Sequence, residues 1–183
     1  MTPIVFIGPM AAGKTTLSKA VSRRLGRRYI PLDVLRYYYY LIQGMDFLAM
    51  FDRPVFADVV EFWKPYQLPT VRRVIAEFPD GVHDFGAGHA HFTDPDDRAG
   101  LREVLGPLPH VFLVLPCADL DRAERICGQR DRERLGEQWD PTRGPYAREF
   151  VRSESFRDVA KHTVITDERS VEHCVDEILA LLA

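Results

Sequence analysis

Short apolar runs alternate with longer stretches of helical periodicity along the whole chain. The runs fall at 4–7 (IVFI), 82–85, 111–115 and 163–165, with a weaker one at 29–32. In 4–7 and 111–115 apolar character is held over four or five consecutive residues without alternation, which suits a strand covered on both faces. Between the runs, apolar residues recur at steps of three and four and predict helices over 14–25, closed by Gly26, then 34–50, and 55–78 interrupted near Pro65 and Pro69. Further helices are predicted over 96–105, 119–128, 146–160 and 170–182. Strands alternating with helices in this way predict an α/β fold: a parallel sheet of about five strands in three layers, with helices on both faces. With no internal repeat and no low-complexity linker, one domain over 1–183 is expected.

In an open parallel sheet, ligands collect beyond the carboxyl ends of the strands. That rule draws together residues 8–15, Asp33, the turn over 84–91 and the loop after Pro116. The first of these reads Gly8-Pro9-Met10-Ala11-Ala12-Gly13-Lys14-Thr15-Thr16, with a strand before it and a helix after it, which is the G-x-x-x-x-G-K-T pattern of a P-loop. Gly8 and Gly13 permit the tight turn that aims backbone N–H groups at phosphate oxygens. Ala11, Ala12 and Thr16 belong to the same cradle, Lys14 sets a point charge on the β- and γ-phosphates, and Thr15 offers a hydroxyl to Mg²⁺. ATP with Mg²⁺ is the expected ligand, and the fold is expected to be a P-loop NTPase fold.

Composition narrows the partners. A formal net charge of -3 gives no basic excess for a nucleic-acid backbone, so a small molecule is expected instead. Cys117, Cys127 and Cys174 are few, odd in number and without C-x-x-C spacing, which predicts reduced thiols and a cytoplasmic protein. No apolar run approaches the length of a membrane span. A monomer or homodimer is expected.

Two segments stand out for function. Residues 130–146 are dominated by charge, Gly and Pro and are the expected mobile lid, with Arg130, Arg132 and Arg134 able to reach a transferring phosphoryl group on closure. Residues 34–78 are the expected acceptor-binding helical region. They are rich in aromatics, with Tyr37 to Tyr40, Phe47, Phe51, Phe56, Phe62, Trp63 and Tyr66, which suits an acceptor with a flat or apolar face. His83, His89 and His91 cluster with Asp84, but strand alternation sends His83 and Asp84 to opposite faces, so a transition-metal site is not expected and His89 or His91 is read as a substrate contact.

Beyond the P-loop, the tail Arg152-Ser153-Glu154-Ser155-Phe156-Arg157-Asp158-Val159-Ala160 resembles the R-x-P-x-Y-x-x-x-A segment of shikimate kinases. Gly86-Ala87-Gly88 stands where those enzymes carry a triple glycine beside the acceptor, and Asp33 where they carry the second aspartate of a D-x-D. The resemblance covers nearly the whole chain in element order. It implies that Asp33 orients the acceptor hydroxyl and acts as base, that Gly86, Ala87, Gly88 and Arg152 contact the acceptor, that Arg125 lies against the adenine, and that Arg132 is the catalytic lid arginine. Two positions depart from the pattern. Pro31 replaces the first aspartate, which moves the expected Mg²⁺ carboxylate to Asp84, and Trp63 stands near the arginine that clamps an anionic acceptor.

A small-molecule kinase acting on a hydroxyl is therefore the leading expectation, with an acceptor other than shikimate. A nucleoside or nucleotide kinase and an antibiotic-modifying phosphotransferase are the alternatives. A regulatory P-loop NTPase is the competitor outside the kinases, although no guanine-reading N-K-x-D run is present.

Overall fold

A computed structural model describes residues 2–53 and 55–182; Met1, Pro54 and Ala183, the remainder of the expected 1–183 domain, lie outside them. Five parallel strands, β1 (Ile4–Ile7), β2 (Tyr29–Pro31), β3 (Val82–Asp84), β4 (His110–Leu115) and β5 (His162–Ile165), lie in the order β2-β3-β1-β4-β5. Alternation along β1 builds both layers of the core. Val5 and Ile7 join one apolar cluster with Val71, Val74, Leu101 and Phe156, while Ile4 and Phe6 join the other with Leu17, Val21, Cys127 and Ile178. The helices are α1 (Lys14–Leu25), α2 (Leu32–Ile42), α3 (Phe56–Glu77), α4 (Pro95–Leu105), α5 (Leu120–Leu135), α6 (Gly144–Val151), α7 (Glu154–Val159) and α8 (Val171–Ala180).

Local chemistry sets most boundaries. Gly26 closes α1 in the left-handed region, its N–H returning to Ser22 and Arg23. Asp94 caps α4 and Ser170 caps α8 through side-chain oxygens. The helix expected over 34–50 stops at Ile42, because Gly44 turns the chain at φ 89°, and a short 3-10 turn at Leu48–Met50 follows. The helix expected over 146–160 divides into α6 and α7 at residues 152–153.

Two expectations are corrected here. Pro65 and Pro69 do not interrupt α3. Four residues apart, they share one exposed face, where water can satisfy the carbonyls that their missing N–H groups leave open. The helix expected over 119–128 also runs on into the segment 130–146. α5 continues to Leu135, since Arg, Glu and Gln are good helix formers whatever their charge density, and Gly128 sits within it, facing the Ala147 methyl of α6 rather than ending the helix.

The rest of that segment is docked. The Asp140 carboxylate accepts from the Phe56 N–H at 2.8 Å and Thr142 Oγ1 accepts from the Ala57 N–H at 3.3 Å, so two orphan donors at the start of α3 are satisfied from more than eighty positions away. All three cysteines are free and buried, and among the described residues no helix is long and apolar enough to cross a membrane.

Candidate functional site

The phosphate cradle follows from backbone geometry at the end of β1. Gly8 (φ 137°), Ala11 (φ 56°) and Gly13 (φ 102°) all take positive φ, which turns the loop back on itself ahead of α1. Gly8 is further constrained by packing: a Cβ there would overlap the Val114 carbonyl oxygen, with the carbonyl carbon at 3.3 Å. Lys14 is buried and its Nζ donates to the carbonyls of Gly8 at 2.9 Å and Pro9 at 2.7 Å. Burial pulls its pKa below the ordinary lysine value, while the nearby Asp84 and Asp33 charges work against that.

A cavity of about 360 Å³ lies over this loop, lined by residues 10–16, Asp33, Asp84, Ala87, Arg130 and Arg134. Asp84 ends β3, and its carboxylate accepts from the Tyr29 hydroxyl at 2.7 Å. Burial raises its pKa, opposed by the Tyr29 hydrogen bond, by Lys14 and by Thr15. Its register partner on β2 is Pro31. A hydroxyl from Thr15 beside a buried carboxylate is a hard-oxygen donor set, which fits Mg²⁺. Each of the three histidines already makes one hydrogen bond: His83 with the Phe78 carbonyl, His89 with the Tyr40 hydroxyl and His91 with the Ser153 hydroxyl. Among the described residues no cluster of three potential metal ligands forms from His, Cys, Asp and Glu.

A second cavity, about 340 Å³, adjoins the first and shares Met10, Asp33, Ala87 and Arg134 with it. Its other walls include Arg36, Tyr40, Trp63, Gln67, His89 and Arg143. Asp33 thus faces both spaces. Gly86 gives it room, since a Cβ there would overlap the carboxylate, with Asp33 Cγ at 2.6 Å.

Asp33 pairs with Arg36 at 3.0 Å, and the Arg36 guanidinium lies 3.9 Å over the Trp63 ring. A cation therefore occupies the neighbourhood where Trp63 alone implied its loss, delivered from α2 and stacked on the indole face. Arg143, whose guanidinium lies 3.8 Å from the Phe56 ring centroid, pairs with the buried Asp131 at 2.8 Å. Burial works to raise the Asp131 pKa, but Arg143 and Arg134 more than offset it and hold the carboxyl low.

The expected residues divide accordingly. Lys14, Thr15, Thr16, Ala11, Ala12, Gly13, Asp33, Asp84, Ala87 and Gly88 line one or both of these cavities, and Gly8 and Gly86 shape them. Arg132 and Arg125 do not. Arg130 and Arg134 are four apart on α5 and face the P-loop cavity, whereas Arg132, two positions on, projects to another side. There it stacks on Trp139 at 4.4 Å and lines, with Arg125, a further cavity between α5 and α6 that shares Met10 with the two site cavities and Arg143 with the second. Arg130 is held by Asp167 at 3.3 Å. Arg152 also leaves the acceptor side, pairing with Asp121 and with Glu124 at 3.7 Å on α5. Of the aromatic stretch, Tyr37, Phe47, Phe62 and Tyr66 pack around Tyr40, Met45 and Trp63 as a small core; only Tyr40, Phe56 and Trp63 line the second cavity.

Arg36, Gln67 and Arg143 were not expected. Asp33 and Arg36 at i and i+3 were a readable helical pair, while Gln67 and Arg143 carried no sequence signal.

No protein-family model and no curated protein matches the chain. Solved structures do. The chain has the P-loop fold of the shikimate-kinase-like type. Shikimate kinase from Acinetobacter baumannii in complex with shikimate superposes with a TM-score of 0.66 at 17% identity, covering 100% of this chain and 93% of that one. Shikimate kinase from Bacteroides thetaiotaomicron gives 0.59 at 21% identity, covering 99% and 98%. A gluconokinase from Sinorhizobium meliloti gives 0.58 at 18% identity, covering 99% and 91%.

Proposed function

We propose that the protein is an ATP- and Mg²⁺-dependent kinase that transfers the γ-phosphoryl group to a hydroxyl of a small molecule. The observation that carries this reading is the position of Asp33, on the shared wall between the P-loop cavity and the second cavity. Phosphoryl transfer needs little covalent chemistry from the protein, only alignment and charge. Lys14 balances charge on the β- and γ-phosphate oxygens, and Arg134, on the wall of both cavities, adds a second positive charge. Asp33 orients the acceptor hydroxyl and takes its proton. Thr15 and Asp84 would hold Mg²⁺, which when bound adds positive charge to the phosphates. Shikimate kinase and gluconokinase, which share the fold, are named for hydroxyl phosphorylation and support the same class of reaction.

The docked segment carrying Arg143 is proposed to close further over bound ligands. The acceptor is proposed to differ from shikimate, not because of Trp63, whose place is supplied with charge by Arg36, but because the space extends beyond the second cavity. Screening hydroxylated compounds for acceptor-dependent ADP release tests the kinase reading. Slow hydrolysis that no acceptor accelerates would favour a regulatory NTPase.

A further inference from the structure

We propose that the acceptor is a polyhydroxylated amine that reaches from Asp33 into a separate acidic chamber and places an ammonium group there. Calling this ligand the acceptor rests on the kinase reading; the chamber rests on geometry alone. It measures about 370 Å³ and shares Val60, Gln67, Gly88 and Phe150 with the cavity at Asp33, so the two spaces adjoin. Its other walls carry Glu61, Asp94, Asp97 and Glu149 against a single lysine, Lys64. Lys64 is already paired with Glu61 at 2.5 Å, and Asp94 is engaged in capping α4. Asp97 and Glu149 line the chamber with no cationic partner within ion-pair distance among the described residues. His91 adds no charge near neutrality, because burial, with Lys64 beside it, pulls its pKa down to about 4.

Acidic walls alone do not make a site; Gln67 supplies the independent observation. Its side chain is 4% exposed, it lies where the two spaces meet, and its amide makes no hydrogen bond among the described residues. Buried amides are almost always paired, so an open amide at a junction marks the path of a polar ligand. Gly88 leaves it room, since a Cβ there would stand 2.6 Å from Gln67 Nε2. On the Asp33 side, Arg36 Nε, Trp63 Nε1 and His89 Nδ1 are buried without partners. His89 Nε2 meets the Tyr40 hydroxyl at 3.1 Å. Burial pushes the Tyr40 pKa up and pulls that of His89 down to about 4, so both are neutral near pH 7 and share one hydrogen bond. Arg36 Nε and Trp63 Nε1 are donors whichever ring nitrogen of His89 carries the proton. They call for oxygens in the middle of the ligand, and Asp97 with Glu149 calls for a cation at its far end, as in an amino sugar or aminocyclitol.

The test is calorimetric titration of the full chain with deoxystreptamine, a diaminocyclitol, and with its di-N-acetyl derivative. The free amine is expected to bind about tenfold more tightly than the acetylated form, as for removal of a pair of partly exposed charge contacts. In the Asp97→Asn/Glu149→Gln protein that preference should vanish while Mg²⁺·ATP affinity stays unchanged. The single variant Glu149→Gln, on the solvent side of α6, should lose part of it should the double variant fold poorly. Equal affinity for the two probes in the wild type, or an undiminished preference in both variants, overturns the proposal. Lys14-dependent transfer to an uncharged acceptor, with no amine preference, would leave the kinase reading standing without the chamber. Carboxylate-dependent amine binding with no transfer to any acceptor would leave the chamber standing without the kinase.

Discussion

Substituting Gly86 by Ala separates positioning of Asp33 from stability of the fold. The backbone at Gly86 (φ -60°, ψ 151°) suits any residue, so the methyl group introduces no backbone strain. It would instead overlap the Asp33 carboxylate, 2.6 Å from Cγ and 2.9 Å from Oδ2. Asp33 is a flexible side chain, 60% exposed, and yields by rotating into solvent. That rotation gives up a partly exposed ion pair with Arg36, worth about 0–1 kcal/mol, which in a domain of this size lowers Tm by at most about 4 °C. Activity responds differently. Losing an oriented base costs about 10²–10⁴ in rate, so kcat, read by coupled ADP release, should fall at least about a hundredfold with nucleotide affinity little changed. Adding Asp33→Asn to Gly86→Ala should cost almost nothing more, because both remove the same group from the same place. Wild-type kcat in Gly86→Ala, or fully additive losses in the double variant, would refute the placement of Asp33.

Gly8→Ala behaves in the opposite sense: overlap with the Val114 carbonyl and φ 137° leave only backbone to move, so a loss of about 3 kcal/mol or more is expected in chemical denaturation. Arg134→Ala should lower kcat by about tenfold or more while Arg132→Ala leaves it within about twofold, as steady-state kinetics will report; the reverse ranking would restore Arg132 to the site. Stability should also fall on acidification. His83, His89 and His91 have pKa values pulled by burial from 6.5 to about 4, so between these values the unfolded chain binds more protons than the native one. The stabilisation is complete above about 6.5 and is lost as pH drops toward 4, with Asp84 and Asp97, both raised, opposing it in the lower part of that window. Urea midpoints that stay flat from pH 7 to pH 5 would contradict this.

How much of this was legible in the chain depends on how local the cause is. β1, the P-loop and α1 follow from consecutive residues, and Ile4–Ile7 and Lys14–Leu25 coincide with the expected limits. Arg132 was singled out by its spacing from Arg125, which does not reveal the side a helical residue faces; α5 runs on past Gly128, packed against Ala147 of α6, and sets Arg130 and Arg134 on the wall of the P-loop cavity. α3 hides its continuity behind Pro65 and Pro69, whose tolerance depends on which face meets water. Arg36 and Trp63 are twenty-seven positions apart, and no periodicity announces that one will stack on the other. Arg152 matched a motif, yet Asp121 and Glu124, on another helix, claim its guanidinium.

Phosphoryl transfer at Lys14 and Asp33 is tested directly by mass spectrometry of an acceptor incubated with ATP, Mg²⁺ and the protein. The expected product is an acceptor heavier by one phosphoryl group, formed in step with ADP, and reduced by about a hundredfold or more in Lys14→Ala. ADP accumulating with free phosphate and no modified acceptor, or product formed at the wild-type rate by Lys14→Ala, would contradict it.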